Sequence, residues 1–287
     1  MSQTRIVHTK ADLQNAVAEF RKAGQRVALV PTMGALHEGH LALVRLARSK
    51  ADRVIVSIFV NPTQFAPHED FDKYPRTLDS DAEALTKENA DLIYAPARDE
   101  MYAADFSTRV IPDGGPTAGL ESDARPHFFA GVATVVTKLL LQTRPDIAVF
   151  GEKDWQQLQV VRRLVRDLDI GVDILAGPTV REKDGLALSS RNRYLSPEHR
   201  AAAPALHRVL SESAVLISRG APIAQVMTNA RHEIEKAGFS VDYVEARNAE
   251  TLAAIDDAYH GPIRLLVAAR IGGTRLIDNV PVPHGED

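Results

Sequence analysis

The sequence contains no cysteine among its 287 residues. Disulfide bonds, cysteine-ligated zinc and a thiol nucleophile are therefore excluded. A long apolar segment is also missing, because the densest run, Val54 to Val60, is far shorter than the roughly 20 residues that a membrane-spanning helix needs. The polar segment Met1 to Asp12 has no apolar stretch of the kind found in signal peptides. We therefore expect a soluble, cytoplasmic protein that does not bind membranes.

An excess of basic charge is absent as well. The chain has 34 Lys and Arg against 38 Asp and Glu, which gives a net charge of −4 with neutral histidine. Nucleic-acid-binding domains usually carry a marked basic excess, so we expect no nucleic-acid partner. The 45% of hydrophobic and 25% of charged residues are the mixture of an ordinary globular protein. Its length is typical of one large domain or of two.

The first 180 residues alternate short apolar runs with segments that have apolar residues at helical spacing. The runs predict strands at 26–30, 53–60, 91–94, 146–150 and 171–175, and the spacing predicts helices at 37–49, 79–89, 129–142 and 155–167. Strands that alternate with helices predict an α/β fold in which helices cover both faces of a parallel sheet. Ligands of such sheets bind at the carboxyl ends of the strands.

The pattern changes near residue 180, where helices are followed by strands that alternate polar and apolar residues. It predicts helices at 197–218 and 223–237 and strands at 241–246, 263–269 and 275–279. Gly272-Gly273 predicts a hairpin turn between the last two strands. We therefore expect a smaller α+β domain, and divide the chain into domains of residues 1–178 and 179–287.

The segment Pro31 to His40 follows the first predicted strand and carries the most specific pattern. Gly34 and Gly39 allow a backbone to approach a ligand closely, and His37 and His40 share one face of the predicted helix start. A helix N-terminus favours phosphate, and two imidazole N–H donors can stabilise charge that develops on it. The alternatives are an ordinary helix start with one capping histidine, and a zinc site, for which two histidines lack a third protein ligand.

Two further polar clusters follow predicted strands. Gln64 comes directly after the strand at 53–60, and its amide can hold a hydroxyl or a carboxylate, although an ordinary Asn-Pro turn is the alternative. After the strand at 146–150, Lys153 suits phosphate, Asp154 suits a ribose hydroxyl, and Gln157 faces the same crevice. A solvated helix start is the alternative there.

The fourth cluster, residues 189–191, lies in the stretch between the predicted domains. Two serine hydroxyls and a guanidinium can close over a triphosphate, whereas the alternative is a polar linker. Asp79, Asp81 and Glu83 could reach a magnesium ion, but such residues more often cap a helix, and we assign them no role.

Taken together, these clusters resemble one family of enzymes. His37-Glu-Gly-His40 looks like the HxGH motif of adenylate-forming nucleotidyl transferases, and Leu188-Ser-Ser-Arg191 looks like a shortened form of their KMSKS loop. With Pro31-Thr-Met-Gly34, Val56 to Gln64 and Phe150 to Asp154, the sequence is identified as a member of the pantoate–β-alanine ligase family. It departs from the family pattern at 128–130, which reads Phe-Phe-Ala where the family has His-Phe-Arg.

The resemblance implies a Rossmann-like, doubly wound catalytic domain, a small C-terminal lid domain and a homodimer. It also implies condensation of (R)-pantoate with β-alanine in two steps. The pantoate carboxylate attacks the α-phosphate of ATP to give pantoyl-adenylate and pyrophosphate, and the amine of β-alanine then displaces AMP. Mg²⁺ would accompany ATP, held mostly by phosphate oxygens and waters and by no assigned protein ligand.

The resemblance also implies the residues of the site. Those implied to be catalytic are His40, His37, Lys153, Ser189, Ser190 and Arg191. Those implied to bind ATP are Met33, Gly34, Ala35, Leu36, His37, Glu38, Gly39, His40, Gly151, Glu152, Lys153, Asp154, Val180, Leu188, Ser189, Ser190 and Arg191. Those implied to bind pantoate are Gln64, which later faces β-alanine, and Gln157.

Three other functions stay open on the residues themselves. A nucleotidyl transferase for a phosphorylated substrate would need extra cationic residues, whereas Gln64 and Gln157 are neutral and favour a small hydroxy acid. A binding module would hold ATP without turning it over. A fragment of a tRNA synthetase would need a basic tRNA-binding extension, which this acidic chain does not show.

Overall fold

A computed structural model describes residues 3–66, 69 and 71–283. The strands are β1 Arg5–Val7, β2 Val27–Thr32, β3 Arg53–Ile58, β4 Leu92–Tyr94, β5 Ile147–Gly151, β6 Asp173–Gly177, β7 Ser240–Asn248, β8 Ile263–Ile271 and β9 Thr274–Pro281. The helices are α1 Lys10–Lys22, α2 Glu38–Arg48, α3 Leu78–Lys87, α4 Arg98–Met101, α5 Glu121–Ala124, α6 Phe128–Thr143, α7 Trp155–Asp167, α8 Pro197–Ala202, α9 Ala205–Ser218 and α10 Ile223–Lys236. In this part of the chain no helix is long and apolar enough to cross a bilayer.

The described residues form two compact units. The first comprises Met1–Asp113, Glu121–Glu152 and Val160–Pro178, and the second comprises Gly114–Leu120, Lys153–Gln159 and Thr179–Asp287. Two short segments that precede residue 178 therefore belong to the second unit. The division into a catalytic domain at 1–178 and a lid at 179–287 stays a prediction about function.

The first unit is built on a parallel sheet with the strand order β1-β4-β3-β2-β5-β6. The chain moves outward from β2 through β3 to β4 and then returns with β5 to the other side of β2. The direction of winding thus switches between β2 and β5, and ligands bind beside such a switch point in doubly wound sheets. The predicted α/β fold with a doubly wound parallel sheet is confirmed.

The central strands β2 and β3 are apolar because they are covered on both faces. Their residues Val27 to Val30 and Val54 to Val56 are fully buried. Helix α2 packs on one face through Leu43, Val44 and Ala47. Burial of a leucine or valine side chain contributes about 1.5–3 kcal/mol, so these contacts hold α2 firmly on the sheet.

The second unit contains the antiparallel sheet β7-β8-β9 and the helices α8 to α10. Gly272 and Gly273 have φ values of 53° and 82° and form the predicted hairpin turn. The single helix predicted at 197–218 is wrong, because the chain forms α8 and α9 with a break at Ala203 and Pro204. Proline has no N–H to continue a helical ladder, which explains the break. The smaller α+β domain is confirmed.

Candidate active site

The loop between β2 and α2 has an unusual main-chain path. Gly34 has a φ of 81° and Ala35 a φ of 51°, so two successive residues adopt the left-handed conformation. His37 follows as the N-cap of α2. Because β2 lies beside the switch point of the sheet, this loop and the first turn of α2 stand where a ligand of the first unit is expected.

The two histidines of the first turn bind each other's backbone. His37 Nδ1 accepts a hydrogen bond from Gly39 N–H at 3.2 Å, and His40 Nδ1 accepts one from His37 N–H at 3.3 Å. Their ring centroids are 4.1 Å apart. Since a main-chain N–H can only donate, each Nδ1 must be unprotonated, and each neutral ring carries its proton on Nε2. The pair therefore presents two N–H donors.

A capped turn after β3 positions Gln64. Asn61, which is 1% exposed, accepts hydrogen bonds at Oδ1 from Thr63 N, Thr63 Oγ1 and the Tyr102 hydroxyl at 3.3, 2.9 and 2.9 Å. Its Nδ2 donates to the carbonyl oxygen of Gly131 at 3.2 Å and to Gln64 Oε1 at 3.1 Å. One main-chain donor and one main-chain acceptor therefore fix the orientation of the Asn61 amide.

The fixed Asn61 amide in turn fixes the amide of Gln64. Because Asn61 Nδ2 is a donor, the atom of Gln64 that faces it must be the oxygen. Gln64 Nε2 then points the other way, 3.2 Å from Met33 Sδ, which is a weak acceptor. The side chain thus presents a donor that suits a carboxylate or hydroxyl oxygen. Asn61 and Tyr102 were not predicted as site residues, and only the Asn-Pro turn pattern pointed to Asn61.

Arg125, which directly follows α5, supports the same turn. It donates to the Gln64 carbonyl oxygen at 3.1 Å and to both carboxylate oxygens of Glu69 at 2.7 Å. Burial alone would raise the pKa of Glu69, but the hydrogen bonds and charge of Arg125 outweigh it and hold that pKa below its ordinary value. The guanidinium also lies 3.9 Å from the centre of the Phe128 ring. The departure from the family pattern at 128–130 thus places an aromatic face against this arginine.

The segment after β5 is divided between the two units. Gly151 and Glu152 belong to the first, and Lys153 to Gln159 to the second. In the second unit, Asn279 Nδ2 donates to the carbonyl oxygen of Lys153 at 2.9 Å. Lys153 Nζ lies 3.7 Å from Asp154 Oδ1, so the side chain predicted to bind phosphate and the side chain predicted to bind ribose are neighbours.

The loop at 188–191 also belongs to the second unit. Leu188 N donates to the carbonyl oxygen of Val180 at 3.0 Å, which brings these two predicted residues together. Ser189 caps the following 3-10 turn, and its Oγ accepts from Arg191 N at 3.3 Å. Arg181 forms an ion pair with Asp278 at 2.7 Å that holds the base of the loop on β9.

Each unit therefore gathers one part of the predicted site. The first holds Met33, Gly34, Ala35, Leu36, His37, Glu38, Gly39, His40, Gln64, Gly151 and Glu152, and the second holds Lys153, Asp154, Gln157, Val180, Leu188, Ser189, Ser190 and Arg191. Over the described ranges, no three or more His, Cys, Asp or Glu side chains are grouped so that they could bind a metal ion.

Comparison with known proteins agrees with the motifs. The family model described as Pantoate-beta-alanine ligase matches residues 5–281. The pantothenate synthetase of Rhodopseudomonas palustris is 57% identical over 277 residues, which are 96% of this chain and 98% of that protein. That of Nitrobacter hamburgensis is 56% identical with the same coverage.

Two solved structures give the same result. Pantothenate synthetase from Thermus thermophilus has a TM-score of 0.92 and 46% identity, and the match covers 97% of this chain and 99% of that one. Pantoate-beta-alanine ligase from Francisella tularensis, complexed with beta-gamma ATP and beta-alanine, has a TM-score of 0.83 and 32% identity, with 98% and 99% covered. The chain therefore belongs to the pantoate–β-alanine ligase family.

Proposed function

We propose that this chain condenses (R)-pantoate with β-alanine at the expense of ATP, through a pantoyl-adenylate, to form pantothenate, AMP and pyrophosphate. The observation that carries the proposal is family membership over nearly the whole chain, from residue 5 to 281. The paired imidazoles at the start of α2 support it, because they present donors where the sheet changes its direction of winding.

In the first step an oxygen of the pantoate carboxylate attacks the α-phosphorus of ATP, and the bond to the pyrophosphate oxygen breaks. Negative charge builds up on the phosphate oxygens, and the Nε2–H groups of His40 and His37 donate to them. Gln64 and Gln157 hold pantoate, with Gln64 donating to one of its oxygens. This arrangement converts a poor acyl donor into a mixed anhydride.

The family resemblance implies further contacts with the nucleotide by residues that belong to the second unit. Lys153, Ser189, Ser190 and Arg191 would bind the triphosphate, Asp154 the ribose, and the main chain of Val180 the adenine. Mg²⁺ would arrive with the phosphates, bound mainly by their oxygens and by water, and would neutralise part of their charge. In the second step the amine of β-alanine attacks the acyl carbon, and AMP leaves. We further propose a homodimer located in the cytoplasm.

An isotope exchange assay tests this function. Labelled pyrophosphate should enter ATP only when pantoate is present, because exchange requires reversible formation of the adenylate. AMP should accumulate only when β-alanine is added as well. Exchange that proceeds without pantoate, or that a phosphorylated acid supports better, would contradict the proposal.

Replacement of Gln64 by glutamate should weaken the binding of pantoate more than that of ATP. The new carboxylate can still accept the hydrogen bond from Asn61 Nδ2, but it offers pantoate a negatively charged acceptor instead of a donor. We expect the KM for pantoate to rise about tenfold or more, with the KM for ATP nearly unchanged. The control is Gln14→Glu, the same change at an exposed position of α1. Equal shifts of both KM values would show that Gln64 does not face pantoate.

A further inference from the structure

Asp81 is a buried carboxylate to which the proposed mechanism gives no role. It lies in α3 and is only 3% exposed. Oδ2 accepts a hydrogen bond from the main-chain N–H of Ala35 at 3.0 Å, and Oδ1 accepts one from that of Leu36 at 2.9 Å. Oδ2 also accepts from the Thr77 hydroxyl at 3.1 Å. Both carboxylate oxygens are therefore engaged by the protein itself.

The loop after β2 needs such a partner because of its main-chain path. Gly34 and Ala35 are in the left-handed conformation, and the successive N–H groups of Ala35 and Leu36 both donate to Asp81. Successive backbone amides that converge in this way form an anion-binding concavity. Asp81 fills it. The fit is close, since a Cβ added to Gly34 would lie 3.1 Å from Asp81 Oδ2 and 3.1 Å from Ile58 Cγ2.

The anchored amides lead directly into the catalytic turn. The N–H groups of Ala35, Leu36 and His37 are three in succession, and they donate to Asp81, Asp81 and His40 Nδ1 respectively. All three are engaged within the protein, although Gly-rich loops of this kind often bind phosphate through such groups. Among the residues of this loop and turn, the donors that the proposed function assigns to phosphate are therefore the imidazole Nε2–H groups, and not these three amides.

We propose that Asp81 is a positioning residue, which anchors the loop by its Ala35 and Leu36 amides and thereby sets the two imidazoles for adenylation. The proposal rests on the proposed function, because it assigns phosphate contact to the histidines. It also separates Asp81 from its neighbours Asp79 and Glu83, which are less buried on α3. An acidic residue whose two oxygens already accept three hydrogen bonds is poorly suited to be a Mg²⁺ ligand.

The test is Asp81→Asn in the 287-residue chain. The amide has nearly the same volume, but its NH₂ group cannot accept the second main-chain N–H. We expect kcat for pantoate-dependent pyrophosphate exchange to fall at least about tenfold, with a small change in the KM for pantoate. Thr77→Val, which removes one donor to the carboxylate, should act in the same direction by about two- to fivefold. Asp79→Asn is the matched control and should behave like the wild type.

Three outcomes would overturn the proposal. Recovery of Asp81→Asn at high Mg²⁺ would identify a metal ligand, since loss of a loop anchor does not depend on the metal. A lower unfolding temperature with unchanged exchange per folded molecule would identify a purely structural residue. The third outcome is measured by the ¹⁵N chemical shifts of the two imidazoles. If His37 and His40 keep the same Nε2–H tautomers in Asp81→Asn as in the wild type, Asp81 does not set the histidines. The chemical shifts can be measured without turnover. Failure of the proposed function would instead leave the wild type itself without pyrophosphate exchange, so the two failures can be distinguished.

Discussion

Replacement of His40 by alanine is expected to lower the rate of pantoate-dependent pyrophosphate exchange by at least about 100-fold, the usual effect of removing one preorganised donor to a developing oxyanion. The His40 ring lies in the first turn of α2 and presents Nε2–H because its Nδ1 accepts from the N–H of His37. Alanine removes both groups. The exchange assay measures this effect, and single-turnover formation of pantoyl-adenylate isolates the first chemical step.

Two further variants separate the donor from the cap. His40→Asn places an oxygen near the position of Nδ1, so it can still accept from His37 N–H, but it has no group near Nε2. His40→Gln reaches the position of Nε2 with an NH₂ donor. We expect the asparagine variant to retain more of the unfolding free energy and the glutamine variant more of the adenylation rate. The reverse order of adenylation rates would show that the Nε2–H group is not the one that acts.

The parts of the site that could be predicted are those with a local pattern. The strand β2, the loop with its glycines and the paired histidines are continuous in sequence, and the periodicity of α2 follows at once. The helix α1 also has a local start, since Thr9 Oγ1 accepts from Asp12 N at 3.1 Å, and a Thr-x-x-Asp pattern is visible in the sequence. Even so, the elements predicted from the sequence include neither α1 nor β1. The strand β1 has only three residues, too few to show a period.

The support of the site could not be predicted, because its contacts join residues that are distant in sequence. Asp81 binds the amide of Ala35 across 46 residues, and Tyr102 binds Asn61 across 41. Neither contact belongs to a local sequence motif: one joins a main-chain N–H to a carboxylate, and the other joins a tyrosine hydroxyl to an asparagine side chain. Whether residues so far apart in sequence come into contact depends on how the strands and helices are arranged in the fold. The periodicity of apolar residues does not predict that arrangement.

The membership of Lys153–Gln159 in the second unit has the same kind of cause. The Trp155 indole donates to the carbonyl oxygen of Ala249 at 2.8 Å, and the Arg264 guanidinium lies 3.8 Å from the centre of its ring. Gln156 Nε2 donates to the carbonyl oxygen of Pro116 at 2.9 Å, which brings in the segment Gly114–Leu120. The sequence alone predicts that β5 and the helix after it belong to the same domain. The observed contacts instead attach the first turn of α7 to the second unit.

Replacement of Gly131 by alanine should both destabilise the protein and weaken the binding of pantoate. A Cβ at this position would lie 2.4 Å from the carbonyl oxygen of Thr63 and 2.8 Å from the main-chain nitrogen of Gln64. These are backbone atoms, so the turn itself would have to move. We expect the free energy of unfolding to fall by about 2–3 kcal/mol, as for overpacking of a close contact. Since Gly131 O accepts from Asn61 Nδ2, the shift would also misplace the Gln64 amide and raise the KM for pantoate.

Gly171→Ala supplies the matched control for that contact. No atom lies within 4 Å of a Cβ added to Gly171, and its backbone is not left-handed, so we expect a change in unfolding free energy within about 0.5 kcal/mol. Denaturant unfolding gives the free energies of both variants, and steady-state kinetics gives the KM for pantoate and for ATP. If Gly131→Ala unfolds like Gly171→Ala, α6 does not approach the backbone of Thr63 and Gln64 closely enough to exclude a Cβ at residue 131. Gly131→Ala could instead lose stability but keep the wild-type KM for pantoate. That result would show that the orientation of Gln64 does not depend on the hydrogen bonds of Asn61 to Gly131 and Gln64.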